Sequence, residues 1–269
     1  MYTTYRCIFV QVITLFALYC ALELTKVGRG VLNIENVSSG SNNSLGHVKN
    51  KVISPIFPVY RVLVTGAGGF VGFHTCLALK RRGDFVVGLD NVNSYYSTTL
   101  KYNRIQILLK EGVTFFQNDV CDDETLRTLV QQFDFTHVIH LAAQAGVRYS
   151  LDHPLEYVKN NIECFVRLLE SIKHQKASLV YASSSSVYGL NTKVPFEESD
   201  VVDRPASLYA SSKRSDELIA RTYNNLYGLR SIGLRFFTVY GPWGRPDMAY
   251  FTFAKSELPW KLVPAFTST

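Results

Sequence analysis

The segment "RVLVTGAGGFVG", Arg61 to Gly72, constrains the fold of this 269-residue chain more tightly than any other. Its first half is a short β-branched apolar run that ends in glycine, the pattern of a buried strand. A helical pattern follows from about Gly69 to Arg82, and "DFVVGLD", Asp84 to Asp90, reads as a second buried strand. Strand, helix and strand in so short a span make a βαβ unit. The turn between the first strand and the helix carries Gly66, Gly69 and Gly72, with Gly68 among them. In such a turn the first glycine lets the chain reverse sharply, the second lets backbone approach a pyrophosphate, and the third lets the helix pack on the strand. The helix N-terminus then faces the anion.

Asp90 closes the second strand, about 20 residues after the turn. A carboxylate there accepts hydrogen bonds from both hydroxyls of an adenosine ribose and repels a 2′-phosphate, so the expected cofactor is NAD rather than NADP. The alternation then continues. "VTFFQND" reads as a third strand, residues 122–133 as a helix, "THVIHLAA" as a fourth strand and residues 155–174 as one long helix. "ASLVYASS" reads as a fifth strand, residues 205–227 hold another helix, and "SIGLRFF" reads as a sixth strand. Repeated βα units predict an α/β fold, a Rossmann-type doubly wound parallel sheet with helices on both faces. Ligands of such sheets bind beyond the carboxyl ends of the strands. Ala142-Ala143, the serine run from Ser183 and the segment from Thr238 to Arg245 all fall at those ends.

Composition excludes several alternatives. Apolar residues make up 47% of the chain and charged residues 19%, enough for a large core and too little charge for a disordered chain. The net charge of +6 is not gathered into a stripe; its tightest cluster, Lys80-Arg81-Arg82, ends the first helix, where cations complement the dipole. Nucleic acid is therefore not an expected partner. The five cysteines, Cys7, Cys20, Cys76, Cys121 and Cys164, are scattered, which predicts neither a disulfide framework nor a zinc site. No metal is expected, and Cys76 and Cys164 read as core residues.

"SSSSVYG" begins at Ser183, on the end of the fifth strand, and "LYASSK" follows from Leu208. Tyr209 and Lys213 stand four apart on one helix and share a face. An ammonium beside a phenol favours the phenolate and brings a tyrosine base towards working pH. A strand-end serine hydroxyl can bond the same substrate oxygen, and the lysine can also hold a nicotinamide ribose. These are the parts needed to move a proton from an alcohol while a hydride passes to NAD.

"TGAGGFVG", "HLAAQAGVR", "SSSSVYG", "YASSK" and "RFFTVYGPWGRPDM" together resemble the extended short-chain dehydrogenase/reductase family, the NAD-dependent epimerases and dehydratases. The resemblance covers about residues 60–255, with the motifs in the family's order; "AAQAGVRYS" and "GRPDMA" are most similar to its UDP-glucuronate 4-epimerases. It implies 4-epimerisation of a UDP-sugar through a 4-keto intermediate. The catalytic residues it implies are Tyr209, Lys213 and Ser184. Gly66, Gly69, Phe70, Gly72, Asp90, Asp119, Val120, Ala142 and Ala143 would hold NAD with Tyr209 and Lys213, Asp119 and Val120 touching the adenine. Arg148, Ser184, Ser185, Ser186, Thr238 and Arg245 would face the substrate, with Arg245 and Thr238 near the sugar carboxylate, where a guanidinium fork fits. The resemblance also separates subfamilies: 4,6-dehydratases carry Asp-Glu at the positions of Ser185 and Ser186, the UDP-xylose-forming decarboxylases carry Glu at Ser186, and UDP-glucose 4-epimerases typically carry Asn at Thr238. A homodimer is a further implied partner. An inactive NAD-binding module or dimerisation partner, and a UDP-glucose 4-epimerase, are the alternatives.

The ends of the chain differ from this pattern. Residues 7–24, "CIFVQVITLFALYCALEL", are 18 mostly apolar residues, long enough for a membrane span and expected to be an uncleaved anchor, with a signal peptide or a buried helix as alternatives. The corresponding expectation is a single-pass type II protein of the Golgi membrane, or otherwise a cytoplasmic one; flanking charges barely decide orientation. Residues 25–58 read as a polar linker or stem, residues 59–257 as the NAD-binding domain, and residues 258–269, "LPWKLVPAFTST", as an atypical tail where the family continues into a last strand and a smaller substrate domain. A chain lacking that domain is expected to have an incomplete sugar site and to fold poorly or be inactive alone.

Overall fold

The computed structural model describes residues 6–8 and 59–256. Strand β1 (Arg6–Ile8) comes first; the main body runs β2 (Arg61–Thr65), α1 (Phe70–Arg82), β3 (Phe85–Leu89), α2 (Thr98–Lys110), β4 (Thr114–Phe116), α3 (Asp123–Phe133) and β5 (His137–His140). Two short helices, α4 (Tyr149–Asp152) and α5 (Pro154–Tyr157), lead through a π-helical turn (Val158–Glu163) into α6 (Cys164–Ile172). Then follow β6 (Ser178–Ser184), a 3₁₀ turn (Ser185–Tyr188), α7 (Leu208–Tyr227), β7 (Ser231–Phe236) and α8 (Ala249–Ser256).

The strands form one sheet in the order β1-β7-β6-β5-β2-β3-β4, and every pairing is parallel. Alternation along each strand divides the core between the two faces. Val62, Val64, Val86 and Ile139 pack with Phe73, Cys76 and Leu79 of α1 and Leu108 of α2. Leu63, Val87, Val138 and Leu179 pack with Leu126 and Leu129 of α3 and Phe165, Leu168 and Leu169 of α6. Both faces are covered, which is why the strands read as continuous apolar runs. Strand order reverses between β2 and β5, so a crevice opens beyond their carboxyl ends. The doubly wound parallel sheet is the expected one.

Four details differ from the sequence reading. Helix α2 was not expected, because its inner face carries Lys101 and Arg104 as well as Ile105 and Leu108, all buried, which hides the apolar period. The expected helix over residues 155–174 is broken into α5, the π turn and α6; buried Asn161 sits in the π turn and is bonded outside the helix. Cys121 and Cys164 are joined as a disulfide, so Cys164 is not a simple core thiol and the expectation of no disulfide is corrected. The topology brings the loop after β4 against the start of α6 across a separation of 43 residues, which no local spacing reveals. Finally, Cys7 and Ile8, the first residues of the expected anchor, belong to β1 beside β7, and the rest of that stretch lies outside the described residues, as do the linker and the tail. Among the described residues no helix is long and apolar enough to cross a membrane.

Candidate active site

The glycine turn is built by close approach. Gly66 has φ +71°, and a Cβ there would stand 2.7 Å from the Ala142 backbone nitrogen. A Cβ on Gly72 would lie 2.0 Å from the Gly66 carbonyl oxygen, so α1 reaches the turn only because that residue has no side chain. Gly69 caps α1 with no side-chain hydrogen bond, and the first turn of the helix holds no acidic residue. The N-terminal amides therefore face the crevice without a competing side-chain carboxylate.

Gly66, Gly69, Phe70, Asp90, Asp119, Val120, Ala142 and Ala143 line a single cleft at the reversal point. Gly72 lies behind it, as its packing role requires. Asp90 is buried and rigidly held: Oδ2 accepts from the Gly68 N–H (3.0 Å) and Oδ1 from the Val92 N–H (2.7 Å). A ribose 2′-phosphate would meet this fixed negative charge, whereas ribose hydroxyls can donate to it. Asp119 Oδ1 accepts from the Cys121 N–H at 2.8 Å and its Oδ2 accepts from Asn91 at 3.0 Å, which pins the neighbouring loop.

A second cavity adjoins the cleft. Ser184, Tyr209, Lys213, Thr238 and Arg245 all line it, and Arg245 lines the cleft as well. Residues far apart in sequence meet here because β6 ends, α7 begins and the loop after β7 starts on the same side of the sheet. Ser207 caps α7 through its hydroxyl, which accepts from the Ala210 N–H (3.1 Å) and fixes the turn that carries Tyr209. Lys213 is buried, and its Nζ donates to Asp216 Oδ2 at 3.1 Å. Arg245 is paired with Asp247, which also accepts from the Tyr95 hydroxyl at 3.2 Å. Ser184 Oγ accepts from the Ser186 N–H at 3.1 Å. Ser185 and Ser186 start the 3₁₀ turn, outside the lining of the cavity, and exposed Arg148 lies on the loop after β5, outside the lining of both.

The support beneath these residues was not legible in the sequence. Buried Glu217 accepts from Ser183 Oγ (2.7 Å), Arg235 Nε (2.9 Å) and Nη2 (3.1 Å), and Arg214 (2.9 Å), which ties α7 to β6 and β7. Asn161 donates to Ser212 Oγ (2.9 Å) and to the Gln144 carbonyl (3.1 Å), and accepts from the Gln144 N–H (2.8 Å), which ties the π turn to α7 and to the loop after β5. Arg104 donates to the Gly68 carbonyl (3.0 Å) and the Trp243 carbonyl, joining α2, the glycine turn and the loop that bears Arg245. Burial holds His140 neutral, with its pKa lowered to about 3 and Lys213 adding to the effect; its Nδ1 pairs with Thr65 Oγ1 at 2.8 Å. The π turn is one local irregularity beside the site, and π turns gather at functional positions; Val92 (φ +52°) and Trp243 (φ +64°), on the loops after Asp90 and before Arg245, are others.

The glycine turn, the cleft-lining Asp90, and Tyr209 and Lys213 with the strand-end Ser184 lie within the span from residue 62 to residue 258, which matches the NAD dependent epimerase/dehydratase family. The chain belongs to that family. Among other members, UDP-glucuronate 4-epimerase 4 of Arabidopsis thaliana is 58% identical over 209 residues, 77% of this chain and 48% of the relative. Protein CapI of Staphylococcus aureus is 48% identical over 197 residues, 73% of this chain and 59% of the relative. The chain thus spans about half the length of the Arabidopsis relatives it matches. The crystal structure of UDP-glucuronic acid 4-epimerase from Bacillus cereus with UDP-glucuronic acid and NAD superposes with a TM-score of 0.68 at 39% identity, covering 73% of this chain and 62% of that one. UDP-glucose 4-epimerase from Thermus thermophilus with NAD gives a TM-score of 0.64 at 34% identity, covering 72% and 60%.

Proposed function

We propose that this family member is an NAD-dependent nucleotide-sugar 4-epimerase that interconverts UDP-glucuronate and UDP-galacturonate. The observation that carries the reading is the shared cavity of Ser184, Tyr209, Lys213, Thr238 and Arg245 beside the glycine-lined cleft. The cleft fits a dinucleotide: glycine at 66 and 72 lets the turn close against the Ala142 backbone and the start of α1, which leaves the cleft open beside it, and Asp90 stands ready for ribose hydroxyls. Gly66, Gly69 and Asp90 would hold the pyrophosphate and adenosine, Asp119 and Val120 the adenine, and Lys213 the nicotinamide ribose. NAD, when bound, supplies the hydride acceptor and donor for C4 of the sugar.

The chain's own groups handle the proton and the orientation. Tyr209 is the base that takes the proton of the sugar 4-hydroxyl, and Ser184 Oγ hydrogen-bonds the same oxygen. Lys213 lines the same cavity from one turn further along α7. Arg245, with Thr238, holds the sugar carboxylate through its guanidinium fork, which favours a uronic acid over a neutral hexose. Turning of the 4-keto sugar in the pocket presents its other face, and Tyr209 returns the proton to the same oxygen. Serine rather than acid at 185 and 186 leaves no group there for water elimination or decarboxylation. The solved Bacillus cereus relative, whose complex contains UDP-glucuronic acid and NAD, supports this substrate. Incubation of the chain with NAD and UDP-glucuronate decides between this reading and the expectation of a chain inactive on its own: formation of the 4-epimer, read by anion-exchange chromatography, supports the epimerase. Absence of product from protein that binds NAD overturns the assignment.

A further inference from the structure

Asp216 lies directly behind Lys213 and has no part in the reaction just described. It lies three residues beyond Lys213 on α7, and both side chains are 2% exposed. Its Oδ2 accepts from Lys213 Nζ at 3.1 Å, while its Oδ1 is buried with no hydrogen-bond partner among the described residues. Burial pushes its carboxyl up to about 6 in spite of the lysine, with Glu217 adding to the rise. A carboxylate half-satisfied in this way is a poor device for stability, because desolvation is incompletely repaid. The neighbouring groups are already accounted for: Glu217 pairs with Arg235 and Arg214, and His140, held neutral by burial, carries no charge. What remains for Asp216 is the lysine itself.

We propose that Asp216 is a positioning residue for Lys213, fixing where its ammonium points and balancing its charge in front of the nicotinamide. The inference rests on the epimerase reading, in which Lys213 holds the nicotinamide ribose. The oxidised ring is cationic and the reduced ring is neutral. An ammonium without a counter-charge disfavours the first and leaves the second nearly untouched. Asp216 therefore sets the preference between NAD⁺ and NADH, and with it how readily the sugar is oxidised.

The test is calorimetric binding of NAD⁺ and of NADH to the full chain at pH 8, where Asp216 is ionised, in wild type, Asp216→Asn and Asp216→Glu. Asp216→Asn should weaken NAD⁺ relative to NADH by roughly five- to tenfold, the scale of one unit charge acting across a buried shell. Asp216→Glu should restore most of the wild-type ratio. Asp216→Ser replaces Asp216→Asn where the latter does not fold. An unchanged ratio, or equal weakening of both dinucleotides, overturns the proposal while leaving the epimerase reading in place. Failure of wild type to bind either dinucleotide overturns that reading, and this inference with it.

Discussion

Substitution of Glu217 by alanine should unfold the site from beneath. Glu217 is fully buried and its two oxygens accept four hydrogen bonds, one from Ser183, two from Arg235 and one from Arg214. Arg235 is itself 2% exposed, with its guanidinium over the Tyr188 ring. Removing the carboxylate deprives a buried guanidinium of its counter-charge, which costs about 3–5 kcal/mol. For a domain of this size each kcal/mol moves the melting point by about 2–4 °C, so a loss of roughly 6–20 °C is expected. Urea unfolding followed by circular dichroism measures the change directly, with the slope against denaturant unchanged. The double variant Glu217→Leu, Arg235→Met removes both charges and should be more stable than Glu217→Ala alone. A loss below about 1 kcal/mol for Glu217→Ala, or a double variant no better than the single one, would refute the idea that this pair anchors α7 to β6 and β7.

Gly72→Ala places a methyl group 2.0 Å from the Gly66 carbonyl oxygen, so NAD binding should fall below detection by calorimetry, whereas Gly83→Ala, which meets no atom but strains the left-handed cap of α1 (φ +97°), should lower stability and leave binding intact. Tyr209→Phe should bind NAD within about twofold of wild type and lose turnover by three orders of magnitude or more, the scale of a removed acid–base group together with its hydrogen bond; comparable turnover would exclude Tyr209 as the base. Arg245→Lys should raise KM for UDP-glucuronate by on the order of tenfold or more through loss of the two-pronged carboxylate contact, read by initial rates. His140 and His137 are both buried with pKa values lowered to about 3 and about 4, so the unfolded chain binds their protons first as pH falls below 6.5. Stability from these two groups is present above about pH 6.5 and is lost on acidification, by up to about 1.4 kcal/mol per pH unit for each. Asp216, whose carboxyl is raised to about 6 in the fold, offsets part of this loss below pH 6, so urea midpoints between pH 7 and pH 5 should fall by less than the two histidines alone give, and the fall should shrink further in His140→Asn.

The fold was legible because a doubly covered parallel sheet writes itself as repeated apolar runs between helices, each ending near glycine or small residues. The cofactor cleft was legible for a similar reason: Gly66, Gly69, Gly72 and Asp90 sit at fixed offsets within one βαβ unit. Tyr209 and Lys213 were legible as a helical pair, and the strand-end rule placed Ser184 and Thr238 near them. Helix α2 was missed because buried Lys101 and Arg104 break its apolar period. The pairings Glu217–Arg235, Asn161–Ser212 and Cys121–Cys164 join segments that only the folded topology brings together, and none leaves a local signal. Arg148, Ser185 and Ser186 rest on the family resemblance; Ser185 and Ser186 begin the 3₁₀ turn and Arg148 lies on the loop after β5, none of them in the lining of the cleft or the cavity.

The claim that everything else serves is oxidation and re-reduction at one carbon of the sugar, with the hydrogen never released to water. UDP-glucuronate deuterated at C4 tests it. After conversion by the wild-type chain in ordinary water, mass spectrometry of the UDP-galacturonate should find the deuterium retained at C4. Product in which that position carries hydrogen from solvent would show proton exchange in place of hydride return, and the redox assignment would fall.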